Sequence, residues 1–289
     1  MENSSTKGLA KIFAPFEGPC NPYPLAIFRI VFYSGLIIHF FPTFIWFGDN
    51  YAPGVLRSKN WNGWIYDYFL LLPSVLIAAC ALLTCGACLS GLLGLRPRLS
   101  ALAAGLGLYT FTSVNALNVQ SLALLFVWST LWIWAVSGGG NEVLSLENGP
   151  AGRPPRQGDR MCRGLIGWYL MLVLFFAGQE KLLTHWPQSE EMTALFKFPA
   201  GIVVRAPFVR LPDAVQRFLG LSIGLATLLV QLGVPVLVAF RRTRLYAIIV
   251  YELFFIGIVT VLNVPLLFYL IMAPGGLLLL DDHYFERLR

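Results

Sequence analysis

Phe175-Phe176-Ala177-Gly178-Gln179-Glu180-Lys181-Leu182-Leu183-Thr184-His185-Trp186 closes an apolar helix that begins near Arg163. The first four turns of that helix suit hydrocarbon. Its last turn then gathers an amide, a carboxylate, an ammonium and an imidazole. Polar groups at membrane depth are costly, so such a cluster marks either a site or an interface. The reading of this stretch as a membrane-spanning helix with a polar end decides the fold, and the other apolar runs are read as packing around it.

Outward from it, apolar runs recur along all 289 residues, with 57% hydrophobic and only 12% charged residues. That balance excludes a soluble domain and predicts an all-α, polytopic transmembrane helical bundle. The net charge of +6 is not a nucleic-acid signal, because the basic residues lie in short loops between apolar runs, where they set topology. The first apolar run is too long for a signal peptide and lacks a small-residue cleavage site behind it.

Eight spans are expected. They run over Pro24–Phe47, Phe69–Leu95, Leu99–Leu117, Ser121–Ser137, Arg163–Leu183, Phe218–Phe240, Leu245–Leu262 and Leu266–Leu280. Residues 1–23 form an N-terminal segment, 24–280 the membrane domain and 281–289 a charged tail. Within the membrane domain, 138–162 is glycine- and proline-rich and reads as a flexible connector, and 184–217 as an outer amphipathic loop. Most lysines and arginines fall in the N-terminal segment, in the turns after spans two, four and six, and in the tail. The positive-inside rule then puts both termini in the cytoplasm and Lys181 at the outer face. This is a multi-pass membrane protein, of the plasma (inner) membrane if bacterial, with the lipid bilayer as its first partner.

Each polar group has a bland and a functional reading. A partly desolvated Lys181 can act as a base, beside Gln179, Glu180 and His185. It is equally a snorkelling lysine at a helix C-terminus, anchored by Trp186. Arg29 and Glu252 are the clearest intramembrane charges. Both lie toward the cytoplasmic half and are read as a charge pair, since an unpaired carboxylate there would be protonated. Asn118, Gln120, Gln231 and His39 are read first as interhelical hydrogen-bonding groups. Cys85 and Cys88 have redox spacing but sit among small residues in an apolar helix, where packing is the simpler account. With three histidines and no thiol–histidine cluster, no metal site is expected.

Several pieces, taken together, resemble the membrane domain shared by vitamin K-dependent gamma-carboxylase and its microbial relatives, the HTTM domain. They are Pro24-Leu25-Ala26-Ile27-Phe28-Arg29, the loop Tyr51-Ala52-Pro53-Gly54-Val55-Leu56, the segment Phe176-Ala177-Gly178-Gln179-Glu180-Lys181-Leu182 with Trp186 behind it, and Gln231-Leu232-Gly233-Val234-Pro235 followed by Arg241-Arg242-Thr243-Arg244. The resemblance implies that Lys181 is a catalytic base acting on a reduced, vitamin K-like quinone in a lyase-type reaction. Read as a membrane enzyme, the chain is expected to have an outward ligand pocket lined by Gln179, Glu180 and His185 with Asn118 and Gln120, entered from the bilayer by a quinone-like or isoprenoid ligand, and a protein or peptide substrate at the outer face. The chain departs from the family pattern at three points. Asn118 is followed by Val119 where the family has histidine, Tyr251-Glu252 stands where a histidine is usual, and Gln231 stands where relatives often have glutamate. Only Asp281–Arg289 follows the last span, so full protein carboxylation is not expected. The Gly-x-x-Lys-Leu segment is also similar to the shorter DoxX/DoxD proteins, and the length here favours the carboxylase-like family. The alternative reading is a non-catalytic component that assists export or maturation of a partner protein.

Overall fold

A computed structural model describes residues 20–45, 74–114, 122–140, 143–148, 157–186, 212–261, 270 and 272–288. The described chain is helical. Seven α-helices run over Tyr23–Ile45 (α1), Ser74–Leu92 (α2), Pro97–Val114 (α3), Leu122–Ser137 (α4), Gln157–Leu183 (α5), Asp213–Ala239 (α6) and Arg244–Val261 (α7), followed by 3₁₀ runs over Ala273–Leu279 and Asp282–Leu288. Among the described residues, three stretches are long and apolar enough to cross a membrane: Tyr23–Phe40, Asp159–Leu183 and Asp213–Ala239. The other α-helices have 16 to 19 residues. At 1.5 Å per residue the shortest reaches only about 24 Å, less than a hydrocarbon core of about 30 Å.

Two of the expected boundaries differ. α5 starts at Gln157, inside the connector predicted to be flexible. Of the last expected span, Leu266–Leu280, residues 270 and 272–280 are described: 270 and 272 are α-helical and Ala273–Leu279 is a 3₁₀ run. Pro274 sits in its first turn and Gly275-Gly276 follow, a combination that disfavours continued α-helix.

The chain divides into two compact units, 1–166 with 281–289, and 167–280. The first is built from α1 to α4, the start of α5 and the C-terminal 3₁₀ run. α1 packs on α2, α2 on α3 and α3 on α4. The inward face of α1 repeats at helical spacing through Leu25, Phe28, Phe32, Tyr33 and Leu36, all buried. Trp134 of α4 is 1% exposed and stacks on Phe28 at 5.7 Å between centroids, with Tyr33 also 5.7 Å away. The sharp turn between α2 and α3 uses left-handed backbone at Gly94 and Arg96. Pro97 opens α3, where its missing N–H costs nothing, and the Ser100 hydroxyl donates to the Leu95 carbonyl at 2.7 Å.

Arg29 is 1% exposed in this unit. Its guanidinium donates to the carbonyl oxygens of Gly140 and Leu144. The beginning of the expected flexible connector is therefore pinned: Gly138, Gly139 and Gly140 are buried, and a Cβ on Gly140 would meet the Trp134 ring at 3.1 Å. Asp282 closes the unit, accepting from Arg163 in an ion pair and from the Asn21 N–H at 3.2 Å.

The second unit holds α5 from Gly167, with α6, α7 and the first 3₁₀ run. α6 packs on α7, and α7 on the 3₁₀ run. The buried stripe of α6 is Gln216, Gly220, Gly224, Leu228, Gln231, Val234 and Val238. Its 3- and 4-residue steps define one inward face. Glycines set the close approaches. A Cβ on Gly178 of α5 would come within 2.9 Å of the Gln231 Cβ and 3.0 Å of the Leu232 side chain. A Cβ on Gly276 would meet Glu252 Oε1 at 3.0 Å and the Tyr251 ring at 3.1 Å.

Candidate functional site

The candidate site is the C-terminal end of α5. An apolar helix ends at Leu183 and is closed by a hydroxyl and a left-handed residue. The Thr184 hydroxyl donates to the Glu180 carbonyl at 2.9 Å. His185 adopts φ 51° and its N–H donates to the Leu182 carbonyl at 3.3 Å. This is a left-handed C-terminal cap filled by a non-glycine residue. It fixes where Trp186 goes: the indole lies beside the Lys181 side chain.

The Lys181 ammonium sits 5.5 Å from the centroid of the Trp186 ring. Its other contact is a donation to the Ala177 carbonyl at 3.4 Å, beyond the usual 2.7–3.2 Å of a good N–H···O bond. A cation over an aromatic face at a partly exposed position contributes about 0.5–1 kcal/mol. The negative end of the helix dipole attracts the same charge. Lys181 makes no ion pair among the described residues. The amine is thus oriented by Trp186 and Ala177 but weakly held, and a ligand can draw it away at small cost.

The other predicted site residues divide. Gln179, Glu180 and His185 are exposed, Lys181 and Trp186 half-buried, and Ala177 and Gly178 buried. Phe176, Leu182 and Leu183 present apolar surface around them, at 58%, 52% and 71% exposure. Asn118 and Gln120 lie outside the described residues. Arg29 donates from Nη1 to the Gly140 carbonyl and from Nη2 to the Leu144 carbonyl in the first unit. Glu252 belongs to the second unit, where its Oε1 is enclosed and accepts no hydrogen bond among the described residues. Cys85 and Cys88 are buried free thiols. No group of metal-ligating side chains occurs among the described residues.

One residue gains weight from the geometry. Gln231 is 8% exposed and its Oε1 has no partner among the described residues. The sequence presents it as a hydrogen bond between helices. The structure instead seats it against Gly178, one turn before Lys181. The available signal was Pro235, four residues on and inside α6. A proline there removes the N–H that would bond the Gln231 main-chain carbonyl.

No family model, curated protein or solved structure matches the chain. The resemblance given above therefore stands on the quoted residues alone.

Proposed function

We propose that the chain is a multi-pass integral membrane protein of about eight spans, with cytoplasmic termini, and that it is an enzyme using Lys181 as a base on a lipid-soluble, quinone-like or isoprenoid ligand. The observation that carries this reading is the hold on the Lys181 amine. It is positioned by Trp186 at 5.5 Å and by a 3.4 Å carbonyl contact, with no ion pair to fix its charge among the described residues. Phe176, Leu182 and Leu183 supply apolar surface suited to a ligand arriving from the bilayer. A reduced quinone would bring an acidic hydroxyl, and the residues present fit it: Lys181, in its neutral amine form, would take that proton at Nζ, the Trp186 ring would face the ammonium that results, and Gln179 and Glu180, two and one residues away, would offer polar contacts. The order of the motifs resembles the HTTM domain and supports the same choice. The plasma membrane, inner if bacterial, is the proposed location, and a protein or peptide at the outer face the proposed second substrate.

The test is photo-crosslinking with a quinone bearing a photoreactive isoprenoid tail, mapped by mass spectrometry. Crosslinks in the peptide containing 175–186, competed by unlabelled quinone and lost in Lys181→Ala, support the enzyme. Equal crosslinking of Lys181→Ala and wild type removes it.

The same contacts favour a second reading. A lysine over a tryptophan at a helix C-terminus is a good membrane anchor. On that reading the protein is a non-catalytic component assisting export or maturation of a partner, and Lys181→Arg leaves its function intact.

A further inference from the structure

Two side-chain oxygens inside the second unit have no donor among the described residues: Gln231 Oε1 and Glu252 Oε1. Gln231 lies eight residues before the end of α6 at Ala239, and Glu252 eight residues after the start of α7 at Arg244. At 1.5 Å per residue both are about 12 Å from the turn that joins these packed helices, hence at one level of the bilayer interior. Pro235 adds a third acceptor at that level, the main-chain carbonyl of Gln231, which it cannot supply with an N–H. The neighbouring hydroxyl is already engaged: Tyr251 donates to the Met272 carbonyl at 2.5 Å. Gly276 closes over Glu252 Oε1 on the 3₁₀ side, while Glu252 as a whole stays half-buried. The carboxyl therefore has one enclosed oxygen and an open side.

Among the described residues no donor reaches either side-chain oxygen, the Gln231 amide N–H2 included. An ionised carboxylate with no donor or counter-charge there costs several kcal/mol. A proton on the carboxyl removes the charge and creates the missing O–H. We propose that Glu252 is a proton-binding site in the bilayer interior, a neutral carboxylic acid that exchanges its proton through its open side, with Gln231 as the polar group at its level. The proposal is independent of the role of Lys181.

The titratable and charged groups on the packed elements are few. α6 carries Asp213 and Arg217 near its far end, and the turn carries Arg241 and Arg242. α7 carries Arg244, Tyr246 and Tyr251. Arg244 Nε donates to the Val238 carbonyl at 3.0 Å, two turns below Glu252. From Gly167 on, α5 carries Tyr169, Glu180 and Lys181, and the 3₁₀ run over Ala273–Leu279 carries none.

The test uses the full chain in lipid vesicles and N,N′-dicyclohexylcarbodiimide. This apolar reagent takes the carboxyl proton onto one nitrogen while the carboxyl oxygen bonds its central carbon, and an oxygen-to-nitrogen shift leaves a stable acylurea. Mass spectrometry is expected to find the adduct on Glu252 at about pH 6, falling several-fold by about pH 9 as the acid ionises. It is expected to be absent in Glu252→Gln and unchanged when sodium replaces choline. An unmodified Glu252 at about pH 6 in a monodisperse protein overturns the proposal, as does labelling independent of pH. Protection by sodium overturns it in favour of a metal-cation site.

Discussion

Arg29 shows what a single buried side chain does for the first unit. Its guanidinium holds the carbonyls of Gly140 and Leu144, which lie in a segment whose composition predicts flexibility. Arg29→Met keeps the bulk and removes the donors, leaving each buried acceptor short by about 1–3 kcal/mol. The expected outcome is a lower thermal unfolding midpoint in detergent; an unchanged midpoint would show that these bonds hold nothing. The cost of Arg29 was legible in the sequence, because a guanidinium in an apolar run is rare. Its acceptors were not, because backbone carbonyls carry no sequence signature. Cys20, just outside α1, gives a pH prediction. Burial pushes its thiol from 9.0 up to about 11, and the nearby Arg163 guanidinium only partly opposes this. The folded state thus favours the protonated thiol, so this contribution to stability is intact below about pH 9 and is lost as pH rises toward 11. Maleimide is expected to spare Cys20 at about pH 8 in the folded protein and to label it after denaturation. Rapid labelling in the folded state would contradict the burial.

At the scale of elements, helix contacts turn on individual glycines. A Cβ on Gly178 meets Gln231 and Leu232 within 3.0 Å, whereas a Cβ on Gly233 of the facing helix meets nothing within 4 Å. The two alanine substitutions therefore have opposite expected signs. Gly178→Ala forces α5 off α6 and costs about 1–3 kcal/mol. Gly233→Ala gains about 0.5–1 kcal/mol from reduced chain entropy. Unfolding in detergent checks both, and destabilisation by Gly233→Ala with none by Gly178→Ala would reverse the assignment of the interface. The helices α5 and α6 were legible from long apolar runs with basic flanks. The close contact at Gly178 was only half legible, since a glycine in a helix signals an approach without naming what approaches. The 3₁₀ run after α7 was hidden because Leu277-Leu278-Leu279-Leu280 reads as a span, while Pro274-Gly275-Gly276 governs the backbone.

For the whole molecule, composition predicts an all-helical membrane chain; the described chain is helical, and among the described residues three stretches have the length and hydropathy to cross a membrane. The proposed eight-span topology makes a separate claim about sides. Single cysteines placed in 1–23, 138–162 and 281–289 are expected to react with an impermeant maleimide only from the cytoplasmic side, and those in 184–217 only from the other. A cysteine in 281–289 reacting from the outer side would change the span count by an odd number. The proposed functional centre was legible as a cluster of residue types at the end of α5. How the amine is held was not, because it depends on the turn at His185 that brings Trp186 beside it. The most direct test is therefore mass spectrometry of the lipid-soluble material retained by purified wild-type protein and by Lys181→Ala. The account predicts a quinone-like or isoprenoid compound with the wild type and its loss from an equally monodisperse Lys181→Ala. Equal retention by both, or none by either, would contradict it.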